Sequence, residues 1–202
     1  MEENIHIVPN FVNREFLDEI QPLFAEGLDS LNIDKISDRE ALSPFEIAKL
    51  EAAKAHYGNN IFKIPHTLDG LNNELYEIVS QHILKDQKTI ETVFGDLQPE
   101  KKFNITVMLE GSSVPPHTDE QIFTEYVGTI NRTVLRDITS VFYLNDNFDG
   151  GELYFDCLDK TIKPEAGMLV FFPTAKIYRH AVLTVKNGQR FSVSRFWNFK
   201  SS

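Results

Sequence analysis

Hydrophobic positions in this chain recur at helical spacing through roughly the first hundred residues and then, from Lys101 onward, at every second residue. The N-terminal part opens on Ile5-His6-Ile7-Val8, a short strand ended by Pro9. Asn13 then caps a helix with Phe16, Leu17, Ile20, Leu23 and Phe24 on its apolar side, and Pro22 is expected to bend or split it. Ser43-Pro44-Phe45-Glu46 combines a capping box with proline at the first helical position, so a second helix should run from there to Tyr57-Gly58. A third helical region follows Asp69-Gly70, with Leu71, Leu75, Ile78, Val79 and His82 in register. A further helical piece extends to Phe94-Gly95. Beyond Lys101, strand-like runs cover 103–109, 134–144, 152–157, 168–172, 181–185 and 191–197. Turn signals separate them at Asp149-Gly150-Gly151, Pro164-Glu165-Ala166-Gly167 and Lys186-Asn187-Gly188-Gln189. Helices first and short strands afterwards predict an α+β chain whose second half is a sandwich or barrel. With no repeat, low-complexity tract or linker, the expectation is one domain over 1–202. In it, 1–100 is mainly helical support and 101–198 is the sheet core that carries the site.

Composition sharpens this picture. A chain of 202 residues with 42% hydrophobic positions and 16 Phe has ample material for large packed sheet faces. A formal charge of -10 argues against a nucleic-acid partner, since phosphate backbones need a basic surface. Cys157 is the single cysteine, which excludes an intrachain disulfide. Its place in a strand-like run predicts an inert, partly buried thiol. The acidic start, Met1-Glu2-Glu3-Asn4, leads into no secretory pattern, and no apolar run approaches the roughly 18 residues of a membrane span. A cytoplasmic protein without membrane partners is therefore expected.

The candidate chemistry centres on Val114-Pro115-Pro116-His117-Thr118-Asp119. In an extended segment, His117 and Asp119 leave the backbone on the same side. His180 opens the second-to-last strand-like run, and Arg190 the last. Two imidazoles and one carboxylate can occupy one face of a divalent metal and leave the opposite face open, the arrangement of non-haem Fe(II) oxygenases. If the Asn187-Gly188 turn closes a hairpin, Arg190 pairs near Val185, roughly 17 Å of strand from His180 at about 3.4 Å per residue. A guanidinium there would match one end of a dicarboxylate whose other end chelates the metal. Ser192, two residues on, faces the same side and can add a hydrogen bond. Taken singly, each residue also has a structural reading, such as a strand-end histidine or a solvated arginine beside a turn.

A longer string carries a resemblance. It runs through Pro116-His117-Thr118-Asp119, Phe142-Tyr143-Leu144-Asn145, Gly150-Gly151-Glu152-Leu153, Pro164, Gly167, Val170-Phe171-Phe172, His180, Gly188, Arg190 and Trp197. Over roughly 100–198 the chain resembles the Fe(II)/2-oxoglutarate dioxygenase superfamily, in its prolyl-4-hydroxylase-like branch, and Ile7-Val8-Pro9-Asn10-Phe11 is similar to that branch too. The resemblance implies a double-stranded β-helix (a cupin-like jelly roll) with N-terminal supporting helices. It implies Fe(II) on His117, Asp119 and His180. It also implies 2-oxoglutarate with its distal carboxylate on Arg190, assisted by the Tyr143 hydroxyl and Ser192. O2 is the oxidant, and ascorbate is an accessory reductant. The implied activity is hydroxylation of an aliphatic C–H, first of all a prolyl residue in a peptide or protein. Asp119 favours hydroxylation over halogenation, because halogenating members lack this carboxylate. The branch usually carries a tyrosine on the strand before the H-x-D motif. Here Thr106-Val107-Met108-Leu109 has no phenol.

Two alternatives stay open at this point: hydroxylation of a free amino acid or small metabolite, and a metal-binding jelly-roll module that recognises a ligand without catalysis. The segment 121–133 reads as an irregular lid or substrate loop, with Tyr126 and Arg132 as substrate contacts and Arg136 able to meet an anionic group. Val141, Leu153, Val170 and Val182 are expected to line the pocket. Three motifs are set aside. Pro65-His66-Thr67 has Leu68 where an aspartate would be needed, and His82 belongs at a core edge. Asn145 to Asp156 mimics a calcium loop but is flanked by strands.

Overall fold

The computed structural model of the chain describes residues 4–30, 61–64, 73–83, 85–100, 103–122, 125–126, 129–130 and 134–200. The helix expected from Ser43 to Gly58 lies outside them, as do His66 and Arg132. Strand β1 (His6–Val8) is followed by helix α1 (Arg14–Ser30), then β2 (Ile61–Ile64), α2 (Asn73–Ile83), α3 (Asp86–Phe94) and β3 (Leu97–Pro99). Next come β4 (Asn104–Met108), β5 (Val114–His117) and four two-residue strands: β6 (Gln121–Ile122), β7 (Glu125–Tyr126), β8 (Thr129–Ile130) and β9 (Val134–Leu135). The remainder is β10 (Ile138–Tyr143), β11 (Asp149–Gly150), β12 (Leu153–Phe155), β13 (Lys160–Ile162), β14 (Leu169–Pro173), β15 (His180–Val182), β16 (Val185–Lys186) and β17 (Arg190–Phe199).

Two antiparallel sheets form the body. The larger has the order β1-β14-β10-β17-β4-β2, with β3 beside the far end of β17. The smaller has the order β13-β12-β15-β5. The first hundred residues thus supply strands to the larger sheet as well as helices. All six residues of β10 are buried, as expected of a central strand rich in β-branched and aromatic residues and covered on both faces. Its alternation sorts two cores. Ile138 and Phe142 face the helices, with Phe16, Leu17, Ile20, Val79, Ile90, Phe171, Val193 and Trp197. Val141 and Tyr143 face the smaller sheet, with Leu153, Phe155, Val170 and Phe172. Trp197, Phe142, Phe155 and Phe172 are completely buried, each worth about 1.5–3 kcal/mol against exposure.

Helix α1 begins where its cap predicts, with the Phe16 amide donating to Asn13 Oδ1 at 3.0 Å. It continues through Pro22 as one element. His82 stacks on Phe16 with ring centroids 3.6 Å apart, the core-edge role expected of it. On the helix-facing side of β17, Arg195 donates to the buried Asp86 carboxyl group and lies over the Trp197 ring. No described helix is long and apolar enough to cross a membrane.

Several expectations are corrected. The run 134–144 is two strands, interrupted at Arg136 and Asp137. The described parts of the segment expected to be irregular are paired in short ladders, with Gln121 opposite Leu135 and Glu125 opposite Ile130. Cys157 is exposed in the turn after β12, because that strand stops at Phe155. The Asn187-Gly188 turn exists, with φ of 45° and 117°, but it joins two different sheets. Val185 pairs with Gly150, and Arg190 pairs with Met108.

Candidate functional site

His117, Asp119 and His180 offer donor atoms that all lie within 4.8 Å of one another. The convergence starts in the smaller sheet, where His117 and His180 are direct cross-strand partners. Their rings lie 4.5 Å apart between centroids. His117 is the last residue of β5 rather than part of a loop, and Asp119 follows two residues on. The Asp119 carboxylate reaches both rings, with Oδ1 at 3.6 Å from His117 Nε2 and Oδ2 at 3.5 Å from His180 Nε2.

Each imidazole is fixed by the chain just before it. His117 Nδ1 is 2.9 Å from the Pro115 carbonyl, and His180 Nδ1 is 3.0 Å from the Tyr178 carbonyl. A carbonyl oxygen can only accept, so Nδ1 carries the proton on both rings and Nε2 presents its lone pair to the cluster. Burial also holds His180 below the usual imidazole range; the Asp119 charge opposes this and His117 adds to it. A neutral imidazole is the form that ligates a metal. The exposure is uneven, with 35% for the His117 side chain, 14% for Asp119 and 6% for His180. Two nitrogens and one carboxylate oxygen gathered this closely fit a divalent transition metal with open positions.

A second polar group is built on the larger sheet. Along the inner face of β10 stand Thr139, Val141 and Tyr143, four residues end to end, or about 14 Å at about 3.4 Å per residue. Thr139 donates to Asp119 Oδ2 at 3.0 Å. Tyr143 lies beneath Arg190, whose guanidinium carbon is 5.0 Å from the ring centroid. Strand β10 is therefore the ruler between the three-donor cluster and the cation, in place of the hairpin expected from the sequence.

Arg190 is only 3% exposed. Its Nε donates to the Gly151 carbonyl at 3.1 Å and its Nη1 to Ser192 Oγ at 2.8 Å. No carboxylate pairs with it among the described residues, and burial lowers its pKa. The Tyr143 hydroxyl is buried without a hydrogen-bond partner among the described residues. Burial pushes that phenol up, against the pull of the Arg190 charge. A desolvated cation, an unpaired phenol and a serine whose proton is not used by Arg190 together fit one carboxylate. The co-substrate that the donor set implies is thus compatible with the residues present.

Local sequence explains the placement of Arg190. Asn145 Nδ2 donates to the Gln189 carbonyl at 2.7 Å, and its Oδ1 accepts from the Phe191 amide at 2.8 Å, so the chain is clamped on both sides of Arg190. Gly151 has φ of 65°, and a Cβ there would sit 3.0 Å from Arg190 Cδ and 2.9 Å from the Phe148 ring. Val141, Leu153, Val170 and Val182, expected to line the pocket, are all buried, the first three in the inner core and Val182 in a small cluster with Met108.

Other candidates fall elsewhere. Arg136 makes a two-pronged pair with Glu100, at 2.7 and 3.0 Å, and covers the Phe196 ring, so it is not free for an anionic substrate. Tyr126 lies in β7 opposite Thr129. Thr139 and the clamp by Asn145 were not singled out from the sequence. The available signals were a hydroxyl inside an otherwise apolar strand and the asparagine that ends Tyr143-Leu144-Asn145.

Comparison with known proteins gives this geometry a context. Residues 103–198 match the model of the 2OG-Fe(II) oxygenase superfamily. Prolyl 3-hydroxylase 1 of Mus musculus is 28% identical over 156 residues, covering 72% of this chain and 19% of that protein. The chain thus spans under a fifth of that relative. The viral collagen prolyl hydroxylase of Paramecium Bursaria Chlorella virus-1, solved with 2OG, superposes with a TM-score of 0.56 at 15% identity, covering 99% of this chain and 98% of that one. A Trichoplax adhaerens prolyl hydroxylase, solved with a hypoxia inducible factor peptide fragment, gives 0.60 at 16% identity, covering 97% and 84%.

Proposed function

For a chain whose residues 103–198 belong to the 2OG-Fe(II) oxygenase superfamily, we propose an Fe(II)- and 2-oxoglutarate-dependent dioxygenase that hydroxylates an aliphatic C–H, first of all a prolyl residue in a peptide or protein. The observation that carries this reading is a three-donor cluster and a buried cation, the latter without a carboxylate partner among the described residues, set along one face of β10. The prolyl substrate is drawn from the relatives, which include a prolyl 3-hydroxylase and a prolyl hydroxylase solved with a peptide. We read the two sheets as the halves of a double-stranded β-helix and the whole chain as one domain.

His117, Asp119 and His180 hold Fe(II) in this reading, and Arg190, Tyr143 and Ser192 hold the distal carboxylate of 2-oxoglutarate. When bound, the iron and co-substrate supply the oxidation, in which O2 is split between succinate, released with CO2, and the hydroxyl placed on the substrate. The chain's own residues orient and exclude water. The Pro115 and Tyr178 carbonyls hold the Nδ1–H of each ring, so that in the neutral imidazole the lone pair is on Nε2. Val141, Leu153 and Val170 make the ground between the two polar groups apolar. Burial of Arg190 strengthens its attraction for a carboxylate, because little solvent screens it.

The test is anaerobic reconstitution with Fe(II), titration with 2-oxoglutarate, then admission of O2 with a panel of proline-containing peptides. The expected result is a weak visible charge-transfer band on adding 2-oxoglutarate, followed by succinate release and a peptide heavier by one oxygen atom. A reconstituted protein that neither binds 2-oxoglutarate nor releases succinate overturns the reading.

A further inference from the structure

Thr139 has no place in the roles above, yet it is 1% exposed and its hydroxyl meets a charged group. It sits in the second position of β10, opposite Phe172 on one neighbouring strand and Phe196 on the other. Between two phenylalanines its hydroxyl has the Asp119 carboxylate as partner, donating to Oδ2 at 3.0 Å. Asp119 Oδ1 accepts no hydrogen bond among the described residues and faces His117 Nε2 at 3.6 Å. The two oxygens of one carboxylate are thereby made unequal.

We propose that Thr139 is a positioning residue that keeps Asp119 a one-oxygen metal ligand, binding through Oδ1 while Oδ2 is held back by the threonine hydroxyl. This rests on the reading that His117, Asp119 and His180 hold a metal. The physical reason is twofold. The hydrogen bond draws electron density from Oδ2, making it the poorer donor, and it fixes the rotation of the carboxylate about its terminal bond. A carboxylate free to turn can offer both oxygens to one ion, and the second would take a position that the keto acid needs. Because Thr139 belongs to the larger sheet and Asp119 follows a strand of the smaller, the bond also ties the metal cluster to the strand that sets its distance from Arg190.

The test uses Co(II), alone and then with 2-oxoglutarate, on the wild-type chain, Thr139→Val and Thr139→Ser. Valine keeps the shape without the hydroxyl, and serine keeps the hydroxyl without the methyl. Thr139→Val should bind Co(II) about 10–100-fold more weakly, the usual cost of losing a partner that orients a ligand. Its d–d absorption should change shape, and 2-oxoglutarate should perturb the spectrum less. Thr139→Ser should keep the wild-type spectrum and affinity to within a few fold, roughly. Thr139→Val with wild-type Co(II) affinity and spectrum overturns the proposal, and so does Thr139→Ser impaired as badly as valine, which would assign the effect to packing. A His117→Ala control separates the two layers. If it binds Co(II) as well as wild type, the metal site itself is wrong. If it fails to bind while Thr139→Val is normal, only the role of Thr139 falls.

Discussion

Replacing Tyr143 with phenylalanine should move stability and co-substrate affinity in opposite directions. The hydroxyl is buried with no hydrogen-bond partner among the described residues, and an unsatisfied buried polar group costs about 1–3 kcal/mol. Its removal leaves the ring packed in the inner core beside Val141 and Val170 and gives up only the hydroxyl's attraction to the nearby Arg190 charge. Without 2-oxoglutarate, Tyr143→Phe is therefore expected to be as stable as wild type or up to about 2 kcal/mol more stable. At about 2–4 °C per kcal/mol for a chain of this size, the melting temperature rises by a few degrees. Binding should go the other way. A hydrogen bond to a charged carboxylate is worth about 1.5–3 kcal/mol, so the Kd for 2-oxoglutarate should rise about 10–100-fold. Calorimetric melting with and without the co-substrate reads the first effect, and anaerobic titration of the Fe(II) form reads the second. Co-substrate should raise the melting temperature of wild type more than that of the variant. A variant that melts lower than wild type on its own, and binds 2-oxoglutarate equally well, would refute the assignment of this phenol to the carboxylate.

Three further outcomes are expected. Asn145→Ala strips partners from the Gln189 carbonyl and the Phe191 amide and should cost about 2–4 kcal/mol in denaturant unfolding; the Kd for 2-oxoglutarate should rise with it, because Arg190 lies between those two groups. Gly151→Ala places a Cβ against Arg190 and Phe148 at a φ of 65°, so the purified variant should bind 2-oxoglutarate at least about tenfold more weakly while retaining Co(II), as read by titration of each. Asp86 is pushed up from 3.8 to about 7 by burial, against the pull of Arg195. The folded chain therefore holds a proton over that interval which the unfolded chain has lost, so this group's stabilising contribution is complete below 3.8 and gone once the pH passes about 7. The stability difference between wild type and Asp86→Asn, measured by denaturant unfolding across that window, should accordingly shrink as pH rises.

Much of the candidate site was legible because it depends on residue types that are rarely placed together by accident. His117, Asp119, His180 and Arg190 were each visible as chemistry, and the change of hydrophobic period located them on strands. What could not be read is which strand lies beside which. Asn187-Gly188 announces a reversal of the chain, but nothing local says that the strand after it crosses to the other sheet to pair with Met108. The same blindness to distant partners made Arg136 a substrate candidate, when its carboxylate partner Glu100 is 36 positions away. Thr139 shows the limit most clearly. A threonine in a strand is ordinary by propensity, and its value comes from an aspartate 20 positions earlier that only the folded sheets bring within reach. Cys157 was misplaced for a local reason, since an alternating pattern does not mark the residue at which pairing stops.

The strand carrying His117 lies at the margin of the smaller sheet, where a foreign strand would normally find free amides to zip onto. Two of its four residues are prolines. Outward amides in an antiparallel strand come from alternate residues, so either alternate pair, Val114 with Pro116 or Pro115 with His117, lacks one N–H. A visiting peptide can therefore gain little by lengthening the sheet at this rim. The same two prolines guard the rim against self-association.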